Sequence, residues 1–365
     1  VTSRVPFLSL RPGEDAHDIR SAVDRVIDRG WFVLGPEVEA FEHEFAAASG
    51  APHAVGVGSG TDAIALTLRA LGVEPGDEVI TTPLSAAFTA LAISMTGARP
   101  VFADIDPVRL TIDPAQVPRM VGPRTRAIVP VHLYGQPADM DEIERVASRY
   151  GLAVVEDCCQ AHLGTAQGRP VGTIGAAGAF SFYPTKNLGA LGDGGAVITR
   201  DAALADRIRR LRNGGQRARY DHDQLGVNSR LDEIQAAVLR ARLPRLPAWT
   251  SRRRQLAARY RAGLGTLSLE VPPECDAGHV YHLFVIRVRD RDIFQRQLAA
   301  DGIETLVHYP LPIPRQQAFT HMAPADCPIA ARACDEVLSL PLHPGLSDDD
   351  LDAVVLAAKG HGCAR

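Results

Sequence analysis

Ser181-Phe182-Tyr183-Pro184-Thr185-Lys186-Asn187-Leu188 follows an apolar run, Ala176-Ala177-Gly178-Ala179-Phe180, and leads into Gly189-Ala190-Leu191-Gly192-Asp193-Gly194-Gly195. The run reads as a buried strand and Tyr-Pro-Thr as a turn, with the glycines marking a segment where backbone can approach backbone. A lysine therefore stands just beyond a strand end. Upstream, a second apolar run, Leu152-Ala153-Val154-Val155-Glu156, ends in Asp157. In open α/β sheets ligands gather at the carboxyl ends of strands, so this pairing of a lysine and an acid decides how the rest of the chain is read.

Outward from these two runs the pattern repeats. Ala54–Val57, Glu78–Thr82, Arg99–Ala103, Ala127–Val131 and Gly195–Thr199 are further short apolar runs. Stretches with apolar residues at helical spacing lie around them, at Asp15–Arg29, Val38–Ala48, Ala63–Leu71, Asp201–Arg212 and Asp232–Arg242. Continuous apolar strands alternating with helices predict an α/β fold with a mostly parallel sheet covered on both faces. Gly195–Thr199 is expected to pair with the strand before Lys186, because the linker is short. Pro244 and Pro247 punctuate the chain, and its character then changes. An Arg-rich helix over Trp249–Arg261, an alternating strand over His282–Val288 and a helix over Arg291–Asp301 suggest a smaller α+β domain. The expected division is a large domain over 1–245 and a small one over 246–365, in keeping with a chain of 365 residues.

The bulk properties exclude several classes. A net charge of −4, from 39 basic and 43 acidic residues, gives no reason to expect nucleic acid or an anionic membrane as partner. No apolar run approaches the ~20 residues of a membrane span. The six cysteines, Cys158, Cys159, Cys275, Cys327, Cys334 and Cys363, form no CxxC pair, and no signal peptide is recognised. A reduced, cytoplasmic protein is expected. Cys158 and Cys159 with His162 do not read as a metal site, because adjacent side chains at a strand end point to opposite faces. Lysine is scarce, with Lys186 and Lys359 the two in the chain. That makes Lys186 conspicuous, although a general preference for arginine has the same effect.

An amine that condenses with an aldehyde and an acid that pairs with a pyridinium nitrogen are what a pyridoxal phosphate site needs. A phosphate site is legible too. Gly58-Ser59-Gly60-Thr61-Asp62 joins a strand to a helix, where free N–H groups and the helix dipole favour an anion. The alternative is that Thr61 or Asp62 merely caps the helix. The segment matches neither GxGxxG nor a Walker loop, which disfavours a nicotinamide dinucleotide. Gln160 can donate to a phenolate oxygen on the cofactor ring. Ser181 can donate to the phosphate, or is an ordinary strand serine. Asn228-Ser229-Arg230, before the helix at Asp232, is either a turn with a cap or a polar pair reaching phosphate or carboxylate, which arginine binds bidentately.

Taken together, the chain resembles the DegT/DnrJ/EryC1/StrS family of sugar aminotransferases. The resemblance runs nearly end to end. It is carried by Gly30-Trp31 to Gly35-Pro36, Ser59 to Ala63, Gly76 to Ile80, Pro130 to Gly135, Glu156-Asp157 to His162, Ser181 to Leu188, Gly192 to Gly195, Asn228 to Ala236, and Tyr309-Pro310. It implies a fold type I pyridoxal phosphate enzyme. In that reading Lys186 holds the cofactor as an imine and Asp157 pairs with the ring nitrogen. Gln160 lies near the ring hydroxyl, and Gly60, Thr61 and Ser181 hold the phosphate. Asn228 matches a residue that reaches the phosphate across a homodimer interface, so two subunits would share each active site. Arg230, Phe88, His308 and Tyr309 are expected on the substrate side. The implied reaction moves an amino group from an amino acid, taken as L-glutamate, to a keto-sugar carried on a nucleotide, as in the making of amino sugars and antibiotics. A keto-cyclitol acceptor and a non-catalytic regulatory role are the alternatives. Sugar dehydratases of the same fold replace the lysine that this chain keeps. Three departures stand out: Ala87 where relatives carry an aromatic ring over the cofactor, His162-Leu163-Gly164 where His-Gly is usual, and a histidine after Tyr-Pro replaced near Pro314-Arg315.

Overall fold

The computed structural model describes residues 4–265, 267–321 and 325–361, so Cys363 lies outside the described residues. The apolar runs become β1 (His53–Val57), β2 (Glu78–Thr81), β3 (Arg99–Phe102), β4 (Thr125–Val129) and β5 (Ala153–Asp157). After them, β6 (Thr165–Ala166) and β7 (Arg169–Pro170) make a small hairpin, and β8 (Ala177–Ser181) and β9 (Gly195–Thr199) return to the main sheet. The seven long strands form one sheet in the order β1-β9-β8-β5-β4-β2-β3. All neighbours from β8 to β3 are parallel, and β9 alone runs against both β8 and β1. The expected pairing of 195–199 with the strand before Lys186 is present, with Ser181 opposite Gly195. Two reversals leave β1 pointing the same way as β8 and β5. The loops that follow β1, β5 and β8 therefore emerge at one edge of the sheet.

Helices α1 (Ala16–Arg29), α2 (Pro36–Ala48), α3 (Gly60–Ala70), α4 (Phe88–Met95), α5 (Val117–Met120), α6 (Met140–Tyr150), α7 (Ala202–Arg212) and α8 (Glu233–Arg242) surround this sheet. Period-two alternation sorts the strand residues. Val155 of β5 and Ala177 and Ala179 of β8 pack in a layer with α3, α4 and α7. Val154, Phe180 and Phe182 point the other way, into a layer with α2, α6 and α8. There Phe45 meets the edges of Phe180 and Phe182 at ring distances of 5.1 and 5.3 Å. All three rings are fully buried, each contributing about 1.5–3 kcal/mol by leaving water. The same alternation puts Asp157 and Ser181 on the α3 side.

A hairpin of β10 (Gln216–Ala218) and β11 (Asp221–His222) stands between α7 and α8, and the chain beyond the expected division begins with α9 (Leu246–Leu264). The expected helix over 249–261 is longer at both ends. Pro247 starts the helix rather than delaying it, because proline in the first turn lacks only an N–H that would be unpaired anyway. β12 (Phe284–Arg287) and β13 (Val337–Leu340) pair antiparallel under α10 (Arg291–Ala300), α11 (Pro328–Glu336) and α12 (Asp348–His361). The strand expected over 282–288 is confined to four residues. His282 and Leu283 are drawn toward the first layer instead, where Leu283 N–H donates to Tyr134 O. Val5 also joins this part, bonding Gly302 and Glu304 through its backbone. The N-terminal segment thus runs from the C-terminal layer back across the sheet edge.

Candidate active site

Helix α3 begins at Gly60, and its cap is Ser59, whose hydroxyl accepts from Asp62 N–H at 3.1 Å. The alternative of a cap at Thr61 or Asp62 is not met, since Ser59 is the cap. Asp62 instead accepts from the hydroxyls of Ser59 and Ser229, at 3.0 and 2.8 Å. The first two helical N–H groups, those of Gly60 and Thr61, have no intrahelical acceptor. Gly60 is required here by space. A Cβ on it would lie 2.7 Å from both Cys159 Sγ and Ser181 Cβ. On the other side, a Cβ on Gly195 would meet the Ser59 carbonyl at 2.4 Å. Two glycines thus let a helix N-terminus sit directly on the ends of β8 and β9.

Asp157 ends β5 and is only 5% exposed. Its Oδ2 accepts from the Thr89 hydroxyl at 2.7 Å, and its Oδ1 from Cys159 N–H at 3.1 Å. One lone pair of each oxygen remains for a ligand. Lys186 follows a turn closed by its own N–H to Tyr183 O at 2.8 Å. Its Nζ makes no hydrogen bond or ion pair among the described residues. Burial lowers the ammonium pKa below the usual lysine value, while the Cys159 and Asp157 charges pull in the opposite direction. Burial also pushes the Cys159 thiol well up. The thiol therefore stays protonated, and Asp157 is the countercharge that matters.

Three histidines surround the lysine, all held neutral by burial and by the lysine charge: His162 at about 3, His308 at about 4, and His282 well below the ordinary value. His162 donates through Nε2 to Ser181 O at 2.9 Å and leaves a buried Nδ1 without a partner. His282 donates through Nδ1 to Asn187 Oδ1 at 3.2 Å, fixing the residue next to Lys186. His308 contacts Ser339 Oγ at 2.9 Å. Gln160 is held at both ends of its amide. Oε1 accepts from Tyr134 N–H at 2.7 Å, and Nε2 donates to Tyr309 Oη at 3.2 Å, which leaves one amide hydrogen free.

The structure brings Lys186, Asp157, Gln160, Ser181, Gly60, Thr61, His308 and Tyr309 to this edge of the sheet. Other expected residues stand apart. Phe88 opens α4 with 62% of its surface exposed, while Ala87 is partly buried against the same core cluster as Tyr309. Asn228 is exposed, and Arg230 donates to Asn213 Oδ1 at 3.1 Å. Both line a cavity of about 430 Å³ beside Ser59 and Asp193, not the cavity that Lys186 lines. Sequence reasoning missed Thr89 and His282, whose partners lie far away in the chain and carry no local signature. Cys158 and Cys159 do face opposite sides, as expected: Cys158 joins the core with Phe180, and Cys159 faces Gly60. His132, Glu156 and Cys158 have ligand atoms close together. Glu156, however, already accepts from the N–H groups of Gly172, Ile174 and Gly175, and His132 is fixed between Ala138 N–H and Glu156. The cluster is a satisfied core network.

Residues 14–359 match the DegT/DnrJ/EryC1/StrS aminotransferase family. The chain is 49% identical over 351 residues to the dTDP-3-amino-3,4,6-trideoxy-alpha-D-glucose transaminase of Streptomyces venezuelae, covering 94% of this chain and 93% of the relative. It is 44% identical to a UDP-N-acetyl-3-dehydro-alpha-D-glucosamine 3-aminotransferase of Acidithiobacillus ferrooxidans, covering 98% of each chain. Among solved structures it resembles S. venezuelae DesV, with a TM-score of 0.95, 47% identity and 98% of each chain covered. It also resembles NtdA of Bacillus subtilis with bound PMP, with a TM-score of 0.92 and 33% identity, covering 98% of this chain and 85% of that one. The chain belongs to the DegT/DnrJ/EryC1/StrS aminotransferase family.

Proposed function

We propose that this member of the aminotransferase family uses pyridoxal phosphate to move an amino group from an amino acid, taken as L-glutamate, to a keto-sugar carried on a nucleoside diphosphate. One observation carries the reading: a half-buried lysine whose amine has no hydrogen bond or ion pair among the described residues, its pKa lowered, lies within the field of the Asp157 carboxylate. The residues fit the cofactor. The cradle between α3 and β8 is closed to any side chain at position 60, the first α3 N–H groups are unpaired, and Asp157 keeps free lone pairs. Gly60, Thr61 and Ser181 would hold the phosphate, Asp157 the ring nitrogen, and Gln160 the ring hydroxyl through its free amide hydrogen.

When bound, pyridoxal phosphate supplies an electron sink for the pair released at the donor Cα. The chain's own residues do the rest. The Asp157 carboxylate, aimed by Thr89, would hold the ring nitrogen in its protonated form. The amine of Lys186, favoured in its neutral form by burial, would act as the base that takes the proton from the donor Cα. The neutral rings of His162, His282 and His308 leave the site without a competing cation. His308 and Tyr309 stand on the side from which a sugar would enter.

A homodimer with shared sites is part of this reading. Phe88, Leu91 and Met95 are exposed and lie on one face of α4, as residues three and four apart do. An apolar stripe at the edge of a site fits a second copy of the chain. Asn228 and Arg230, exposed or aimed away from Lys186 in their own subunit, would then serve the partner's site.

Borohydride reduction followed by peptide mapping tests the lysine. The cofactor mass should appear on the peptide carrying Lys186 and be absent from Lys186→Ala, which still binds the cofactor reversibly. Full turnover by Lys186→Ala refutes the assignment. A panel of nucleotide-linked keto-sugars and keto-cyclitols, tested after loading the enzyme with glutamate, identifies the acceptor.

A further inference from the structure

Tyr134, in the segment after β4, has φ 60° and ψ 7°, the left-handed region that a residue with a Cβ rarely adopts. It is 5% exposed. A strained conformation persists only where the surroundings fix it from several sides, and here they do. The Tyr134 N–H donates to Gln160 Oε1 at 2.7 Å, and the Tyr134 carbonyl accepts from Leu283 N–H at 3.3 Å. The Gly135 carbonyl accepts from Val280 N–H at 3.0 Å, and a Cβ on Gly135 would lie 2.9 Å from His282 N. At the far end of the side chain, the Tyr134 hydroxyl bonds the His308 carbonyl.

These contacts close a circuit. From the Tyr134 N–H it runs through the Gln160 amide to the Tyr309 hydroxyl, at 2.7 and 3.2 Å, along the backbone to the His308 carbonyl, and back to the Tyr134 hydroxyl. Every direction in it is forced. A backbone N–H can only donate, so Gln160 turns Oε1 to Tyr134 and its NH2 group to Tyr309. A backbone carbonyl can only accept, so the Tyr134 hydroxyl donates. The Tyr309 oxygen accepts from Gln160, and its own hydrogen has no acceptor among the described residues. Burial pushes the Tyr309 phenol up to about 12 and the Tyr134 phenol well up, so both keep their protons at neutral pH.

We propose that Tyr134 is a positioning residue: its hydroxyl keeps the His308–Tyr309 segment against Gln160, and so holds the second Gln160 amide hydrogen on the ring hydroxyl of the cofactor. The inference rests on the proposed function, which puts that ring hydroxyl before Gln160. Two anchors, one at each end of the amide, stop it from rotating. Without the Tyr134 hydroxyl the His308 carbonyl loses its donor, Tyr309 is released, and the amide pivots about its remaining bond to the Tyr134 N–H. Hydrogen bonding to the charged form of an acid favours that form. With the amide adrift, the proton shared by the ring oxygen is lost at higher pH.

The test is a pH titration of the absorbance of the cofactor-loaded protein, comparing wild type, Tyr134→Phe, Tyr309→Phe and the double variant. Tyr134→Phe keeps the aromatic ring in its core and removes one oxygen. The absorbance midpoint should rise by roughly half a pH unit, the size expected of one neutral hydrogen bond. Tyr309→Phe opens the same circuit at another point and should raise the midpoint similarly. The double variant should go no further than the larger single shift, because one circuit can be opened only once. A midpoint that does not rise in Tyr134→Phe overturns the proposal, whatever the melting temperature of the variant. Should Tyr134→Phe fail to fold, a midpoint that does not rise in Tyr309→Phe overturns it. So do shifts that add in the double variant, which assign the two hydroxyls to separate effects. Failure of the wild type to bind pyridoxal phosphate refutes the proposed function itself, and is read before any variant is compared.

Discussion

At the scale of single residues the site is a set of donors and acceptors whose spare capacity is defined. Asp157 is aimed by Thr89, a contact made over a separation of 68 residues. Hydrogen bonds to a charged group are worth about 1.5–3 kcal/mol, so Thr89→Val should lower kcat/KM by roughly 10- to 100-fold. Absorbance of the loaded enzyme would show a site still assembled but with a weaker hold on the ring proton. Normal kinetics in Thr89→Val would show that Asp157 is positioned by the β5 backbone alone. The lowered pKa of Lys186 has a defined sign. The folded protein binds fewer protons at this amine than the unfolded chain does in the window below the ordinary lysine value. The lysine term therefore favours the cofactor-free fold increasingly as pH rises through that window.

At the scale of elements, two contacts hold the frame. Gly60 sits where α3 meets β8, and Gly60→Ala brings a methyl to 2.7 Å from Cys159 Sγ and Ser181 Cβ. The helix start must then retreat from the strand end. Cofactor affinity should fall at least tenfold in equilibrium dialysis, with circular dichroism unchanged. The second contact is Glu233 at the start of α8. Its buried carboxylate accepts from the N–H groups of Gly35, Glu37 and Val38 at 2.8–2.9 Å, and so caps α2 from another helix. Glu233→Ala leaves three buried donors unpaired, and at about 1–3 kcal/mol per group it should cost at least 2 kcal/mol in denaturant unfolding.

At the scale of the whole molecule, buried neutral histidines couple stability to pH. His162 and His279 are pushed down to about 3, and His308 and His343 to about 4, mainly by burial. The unfolded chain takes up these protons near the ordinary histidine value and the folded chain does not. Stability should therefore fall as pH drops from about 6.5 toward 4, by about 1.4 kcal/mol per unit for each such histidine. Thermal melts across that range should steepen toward acid, and less so in His279→Gln. The shared-site proposal makes a second prediction. Lys186→Ala and Asn228→Ala, each deficient alone, should regain about a quarter of wild-type activity when refolded together, since half the dimers would be mixed and each would carry one intact site. No recovery would mean that Asn228 serves its own subunit.

The sequence alone determined the sheet, the covering helices and the pairing of Lys186 with Asp157. Continuous apolar runs, turn residues and glycines are local signals, each read within a few residues of a strand end. It also marked Gly60, at a helix start, and Ser181, five residues before Lys186, as phosphate candidates. Only the tertiary structure decided the rest. The cap of α3 is Ser59, and Asp62 accepts from Ser229 far along the chain. Thr89 on Asp157, His282 on Asn187 and Arg253 on the carbonyls of Tyr281, His282 and Leu342 are products of packing between distant segments. Whether a side chain ends with a spare donor depends on what every neighbour has already taken, and that count exists only once the chain is folded.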